Sequence, residues 1–357
     1  MDNARKKKLE ETLKEINKGT STHFDYASNA PGKDVLPFGI EAIDNFYGGG
    51  VPLRKYTVDF GGEDTGKSTR ALHLVANSQK TGKICCYLDM ERKFDKQRAI
   101  QLGVDVNELI LSQTIITAEE AMDAINKLAQ EKVVDLIVVD SIQAMSPKGE
   151  QETKKGKAKS MENDEMALLA RKLGKFFRRT SAHVFNANMA VYLIGQVRQN
   201  LGGFFAFADL SGGNALKHWM TICTFSRKGQ KADAPMEKIK KVIIDLDGKE
   251  HKKTVKKALG FDCVLKMVKS HLSDSARENE DIHLPFYYET GFHLPQPSAE
   301  GEPTIITAGA EAKEIALKQR EEIDPDLMDS IEKGGKIGKS KKAEPKKKRG
   351  RPKKEKK

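Results

Sequence analysis

The sequence predicts an α/β fold, a central and mostly parallel sheet flanked by helices, with small N- and C-terminal attachments. Three observations predict it. Apolar, strand-like runs alternate with amphipathic helical stretches between residues 36 and 272. Val133–Val139 is a near-continuous apolar run, as expected of a parallel strand covered on both faces. A glycine-rich loop, GGEDTGKS, stands between a strand and a helix.

The elements follow in order. Residues 3–17 read as a helix whose Leu9, Leu13 and Ile16 form a narrow stripe. Such a helix is marginal alone and needs another surface, such as a neighbouring subunit. Residues 18–34 read as a linker with a short strand near His23–Tyr26. Tyr56–Phe60 is a strand, 67–79 a helix and Ile84–Leu88 a strand. Residues 118–130 form a helix with Ala121, Ile125 and Leu128 in register. Residues 164–180 are helical, and Val191–Ile194 and Phe261–Val268 are strands. The lysine-rich insert 228–258 reads as a β-hairpin turning at Asp247-Gly248. The domains expected are 1–34, a subunit-docking segment; 35–272, the core; 273–330, a small C-terminal domain with strands in 282–294 and a helix at 308–320; and 331–357, a disordered basic tail.

Charge sharpens that division. The net charge is +11, and Glu332–Lys357 carries 14 Lys and Arg against three Glu, so the rest of the chain sums to zero. A cationic arm is implied, not a basic fold. No 18-residue apolar run is present and the N-terminus lacks an apolar signal region, so no membrane association and a cytoplasmic location are expected. Cys85, Cys86, Cys223 and Cys263 lack zinc-ligand spacing and read as buried reduced thiols, with Cys85 and Cys86 on opposite sides of a strand.

The loop Gly61, Gly62, Glu63, Asp64, Thr65, Gly66, Lys67, Ser68 matches G-x-x-x-x-G-K-[ST] and continues into Thr69. Backbone N–H groups there can curl around a β-phosphate, Lys67 offers a charge to the β- and γ-phosphates, and Ser68 offers a hydroxyl to Mg²⁺. ATP and Mg²⁺ are therefore the expected cofactors. Asp140, ending VVDLIVVD, is the second candidate on the Mg²⁺ side, acting through water. In YLDMERKFD either Asp89 or Glu91 can orient and deprotonate the attacking water, and alternation alone does not separate them. Gln196, after the strand VYLIG, can contact a γ-phosphate and report it to the following loop.

The ordered blocks FGIEAIDNFYGGGVPLRKY, GGEDTGKST, YLDMERKFDKQRAIQLGVD, VVDLIVVDSIQAMSPKGE, YLIGQVRQN and SGGNALKHW resemble the RecA family of homologous recombinases over residues 36–272, the bacterial and phage branches above all. The resemblance implies a RecA-like P-loop NTPase core in which Glu91 is the catalytic glutamate, Asp140 the Walker B aspartate and Gln196 the residue coupling ATP state to DNA binding. It makes Lys269 a lysine reaching the neighbour's ATP, with His271 where the bacterial branch has a second lysine.

The resemblance also assigns two DNA-binding loops. The first, Pro147–Asp164, is basic through Lys154, Lys155, Lys157 and Lys159, which suits phosphates rather than bases. The second, 197–213, carries Arg198, Asn200, Phe204 and Phe205 and is closed by Gly212, Gly213 and Asn214, with rings able to stack on bases. Arg171 matches a family arginine near DNA. His23–Ala27 contains an F-x-x-A spacing resembling a polymerisation motif. The tail departs from the acidic bacterial one: Arg349 and Arg351 in KKKRGRPKK resemble an AT-hook core or a nonspecific basic arm.

The resulting expectation is an ATP-dependent recombinase that forms a helical homo-oligomeric filament on single-stranded DNA, pairs it with duplex DNA, and works with single-strand-binding or mediator proteins. The alternatives are a ring-forming hexameric helicase and an ATP-modulated DNA-binding accessory protein.

Overall fold

The computed structural model describes residues 3–19, 24–151, 168–198, 209–210, 216, 218–230, 233–244, 250–272, 281–293 and 305–307. Helix α1 (Asn3–Gly19) forms where the leucine stripe predicts it, and its side chains are mostly exposed. No strand forms over residues 24–26; a single 3-10 turn at Ala27–Asn29 follows instead. Asn17 bridges this stretch to α1, donating to the Phe24 carbonyl at 2.9 Å and accepting from the Phe24 N–H at 2.7 Å.

The short pair β1 (Val35–Leu36) and β2 (Val51–Pro52) brackets α2 (Glu41–Tyr47). Next come β3 (Tyr56–Gly61), α3 (Lys67–Lys80), β4 (Cys85–Asp89), α4 (Lys96–Gln101), β5 (Ile110–Ser112), α5 (Ala118–Glu131) and β6 (Leu136–Asp140). A short turn of helix, α6 (Lys148–Gln151), precedes α7 (Leu168–Asn186), β7 (Ala190–Arg198), β8 (Asp209–Leu210) and β9 (Met220–Lys228). The chain continues with β10 (Met236–Ile244), β11 (Glu250–Ala258), β12 (Gly260–Ser270), β13 (Asp281–Tyr287) and β14 (Ile305–Thr307).

One nine-stranded sheet organises the larger unit, in the order β13-β12-β9-β3-β7-β6-β4-β5, with β8 added antiparallel to β7. The pairs from β9 to β5 along that order are parallel, and β12 and β13 join antiparallel. Side-chain alternation divides the core into two. Cys85, Tyr87, Leu136, Val138 and Tyr192 pack with Leu74 and Val75 of α3 on one face. Cys86, Leu88, Ile137, Val139 and Val191 pack with Ile125 of α5 and Phe177 of α7 on the other. Cys85 and Cys86 therefore do lie on opposite faces, both reduced and buried.

The chain divides into two compact units, Met1–Glu237 with Lys256–Ala299, and Lys238–Val255 with Glu300–Lys357. This differs from the expected boundary at 273. β13 is an edge strand of the main sheet, Cys263 opposite Leu284, so residues 281–293 belong with the core and not with a separate C-terminal domain. In the second unit, β10 lies between β11 and β14, parallel to the latter. The hairpin turn expected at Asp247-Gly248 and the helix at 308–320 lie outside the described residues.

Candidate nucleotide site

In a parallel sheet the ends of all strands that run one way gather ligands at one edge. Here β3, β4, β6 and β7 deliver the glycine loop, Glu91, Asp140 and Gln196 to that edge, with Gly61 opposite Gln196 and Asp89 opposite Asp140. They line a cavity of about 680 Å³ together with Lys93, Arg98, Lys228, Phe261, Phe286 and Tyr288.

Gly66 turns the loop into α3 at φ 81°, and a Cβ there would sit 3.0 Å from the Phe286 and Phe292 rings. The positive φ favours glycine, and the ring contacts leave a side chain little room. Lys67 is buried, its Nζ donating to the Gly61 carbonyl at 3.3 Å and to the Gly62 carbonyl. Burial pulls the Lys67 pKa down, with Asp59 opposing. A desolvated ammonium among loop carbonyls, beside an exposed Ser68 hydroxyl and a carboxylate, fits a triphosphate with its divalent cation. Burial raises the Asp140 pKa, and hydrogen bonding from Tyr87 and Ser68 opposes it.

The loop is anchored from beneath by a buried ion pair. Arg70 Nη2 meets Asp59 Oδ2 at 2.6 Å and its Nη1 donates to the Thr65 carbonyl at 3.2 Å, all fully buried. Asp59 also accepts from Tyr192 at 3.0 Å, which ties the loop's support to β7.

Geometry separates Asp89 from Glu91. The strand ends at Asp89, whose Oδ2 accepts from the Phe94 N–H at 2.8 Å and from Gln113 at 2.7 Å, in a buried position off the cavity. Glu91 lies beyond the strand and lines the cavity. Its Oε1 accepts from Ser141 at 2.5 Å and Gln196 at 2.6 Å, and its Oε2 pairs with Lys93 at 2.9 Å. Burial alone would raise the Glu91 pKa, but the Ser141, Lys93 and Gln196 contacts outweigh it and hold it below the usual value. Asp135 faces away from this chemistry, paired with Lys83 at 3.0 Å.

Gln196 is held at both ends, its N–H donating to Gln143 Oε1 at 2.7 Å and its side chain to Glu91. Two residues on, Arg198 pairs with Asp209 of β8 along the backbone.

Other sequence candidates fall elsewhere. Lys269 lies outside this cavity and donates to the His218 carbonyl at 3.3 Å. Arg171 is exposed on α7. Lys154, Lys155, Lys157, Lys159, Asn200, Phe204, Phe205, Gly212, Gly213, Asn214, Arg349 and Arg351 lie outside the described residues. The sequence pattern did not reveal Tyr87, Lys93, Gln143 or the aromatic wall, in which Phe261 and Phe286 stack with centroids 4.4 Å apart. Lys228 stands 5.3 Å over Phe261. The wall had no signal short of knowing that β13 joins this sheet.

The family model for the RecA N-terminal domain matches residues 6–292. This chain belongs to the RecA family. It is 32% identical to Protein RecA of Thermus aquaticus over 297 residues, 82% of this chain and 78% of that one. It is 35% identical to Protein RecA of Campylobacter hominis over 228 residues, 62% of this chain and 64% of that protein. Against the mitochondrial DNA repair protein recA homolog of Dictyostelium discoideum, identity is 33% over 222 residues, 62% of this chain and 48% of that one. The chain thus spans slightly less than two thirds of the Campylobacter hominis protein. Among the described residues of this RecA-family chain, no helix is long and apolar enough to cross a membrane.

Proposed function

We propose that this chain is a DNA-dependent ATPase that forms a helical filament on single-stranded DNA and carries out homologous pairing and strand exchange with duplex DNA. One observation carries the reading. The Gln196 side chain sits 2.6 Å from Glu91 Oε1, and its strand ends at Arg198, which pairs with Asp209 and leads in sequence to 199–208. A group that senses the reacting end of the cavity is thereby joined to a segment assigned to DNA.

In this reading the glycine loop wraps the phosphates and Lys67 leaves its carbonyl contacts for the β- and γ-phosphates. Ser68, directly, and Asp140, through water, would hold Mg²⁺, which would supply positive charge to the β- and γ-phosphates. Glu91 orients and deprotonates the attacking water, which requires its Oε1 to exchange Ser141 or Gln196 for that water. Gln196 then turns to the γ-phosphate, and the change in β7 is passed to 199–208. Lys269, outside its own cavity, acts across the subunit interface, with neighbouring copies as partners. The 147–164 loop and Arg171 hold the DNA backbone, and the assembly works in the cytoplasm with single-strand-binding or mediator proteins.

ATP turnover measured with and without a long single strand, with negative-stain images and a strand-exchange assay of the same sample, tests the reading. Stimulated turnover, extended helices and a strand-exchange product are expected. Closed rings would favour a helicase. Biological activity unchanged in Lys67→Ala would favour the accessory protein.

A further inference from the structure

Tyr87 stands on β4, beside the strand that carries Asp140. In the parallel β4–β6 register it lies opposite Val138, one position short of Leu88 and Val139 and two short of the carboxylate pair Asp89 and Asp140. Its ring is 3% exposed and packs edge-on against Phe94 with centroids 5.4 Å apart. Its hydroxyl donates to Asp140 Oδ2 at 2.6 Å. The Ser68 hydroxyl is a hydrogen-bonding neighbour of both the Tyr87 hydroxyl and the Asp140 carboxylate.

This contact has a consequence for the carboxylate. A buried ring packed against Phe94 has little freedom to swing, so its hydroxyl is a fixed point. Asp140 Oδ2 is committed to that point, and rotation of the carboxylate about χ2 would break a short hydrogen bond inside the protein, where bonds to a charged acceptor are strong. With Oδ2 held, the carboxylate keeps one orientation at the cavity that Asp140 lines. Phenylalanine would fill the same ring volume without needing an acceptor. The hydroxyl is thus an addition whose bonded consequence among the described residues lies at the glycine-loop edge.

We propose that Tyr87 is a positioning residue for the metal side of the nucleotide site, its hydroxyl fixing the Asp140 carboxylate in the orientation that receives a hydrated divalent cation. The inference rests on the nucleotide reading above and deepens it. Partners that orient metal-side ligands in this way commonly carry about a tenfold or larger share of metal affinity. A merely structural tyrosine would affect the fold and nucleotide binding alike, without distinguishing metal from no metal.

The test uses the full-length Tyr87→Phe protein. A fluorescent ATP analogue is titrated in EDTA and in Mg²⁺, and Mn²⁺ binding to the nucleotide complex is followed by electron paramagnetic resonance. Affinity in EDTA should stay within about twofold, while Mn²⁺ affinity falls about tenfold. An unchanged Mn²⁺ affinity, or equal losses with and without metal, overturns the proposal. Should Y87F prove less stable, the cycle with Asp140→Asn decides: Tyr87→Phe should add nothing to metal affinity once Asp140 is gone, and an additive loss overturns the proposal. Failure of the underlying reading looks different, because the unsubstituted protein would then show no metal-dependent nucleotide binding.

Discussion

Two carboxylates two positions apart acquire different work because the chain leaves the strand between them. Asp89 is the last residue of β4 and spends its Oδ2 on the Phe94 N–H and Gln113, which pins the loop that follows. Glu91 is clear of the ladder and borders the cavity. Alternation left this pair undecided because it holds only while a strand continues. Glu91→Gln should therefore lower DNA-stimulated turnover about 10²–10⁴-fold while nucleotide binding persists. Asp89→Asn should appear chiefly as lost stability, about 1–3 kcal/mol, in denaturant unfolding. Lys93 adds a pH dependence. Glu91 is held below the ordinary carboxylate range, against the upward push of burial, by Ser141, Lys93 and Gln196. It therefore stays ionised, and able to accept a proton, to lower pH than an ordinary glutamate. Lys93→Ala removes both a hydrogen bond and a positive charge, so the acidic limb of the rate–pH profile should move to higher pH. An acidic limb that stays in place would show that Lys93 does not set the basicity of Glu91.

At the scale of elements, the ion pair between β3 and α3 is the least expected feature. A strand-to-helix turn after YTVDF is legible from its glycines, yet Asp59 and Arg70 beneath it both sit at 0% exposure. Removing one charge from such a pair leaves the other buried alone. Arg70→Leu should cost about 3–5 kcal/mol in chemical unfolding. The double substitution Asp59→Leu with Arg70→Leu should recover most of that loss, because the desolvation of both charges disappears together. Equal instability in the double variant would mean that the Thr65 and Tyr192 hydrogen bonds, not the paired charges, supply the stability. The β13 strand carries a different lesson. Ile282, Leu284 and Phe286 alternate clearly, and the strand itself is readable, but periodicity does not say which sheet a strand joins. Its partner β12 is the long-range choice that brings Phe286 and Tyr288 to the cavity. Pro285 fits that position, since β13 ends the sheet and an edge strand tolerates a missing N–H.

Across the whole molecule, the site was legible where a parallel sheet does the gathering. Motifs far apart along the chain all follow strands that end at one edge, so their order predicted their meeting. Charge is distributed by another logic. The nucleotide cavity lies in the unit made of Met1–Glu237 and Lys256–Ala299, while the final 26 residues from Glu332 carry 14 basic residues and the chain's entire +11. Catalysis and long-range attraction to polyanions are therefore expected to lie in different parts of the chain. Ending the chain after residue 330 should leave ATP binding unchanged, because none of the cavity's residues is removed. Duplex DNA binding, followed by fluorescence anisotropy across a salt series, should weaken and become less salt-sensitive. For every phosphate that the tail no longer neutralises, the slope of log affinity against log salt becomes shallower by about 0.9. Substituting Arg349 and Arg351 by Lys preserves the charge and removes the hook-like arginines. A retained slope with lost preference for AT-rich duplex would assign those arginines to the minor groove, whereas behaviour identical to the full chain would assign the tail to charge alone. A truncated chain with the full salt slope would instead move duplex binding back onto the folded units.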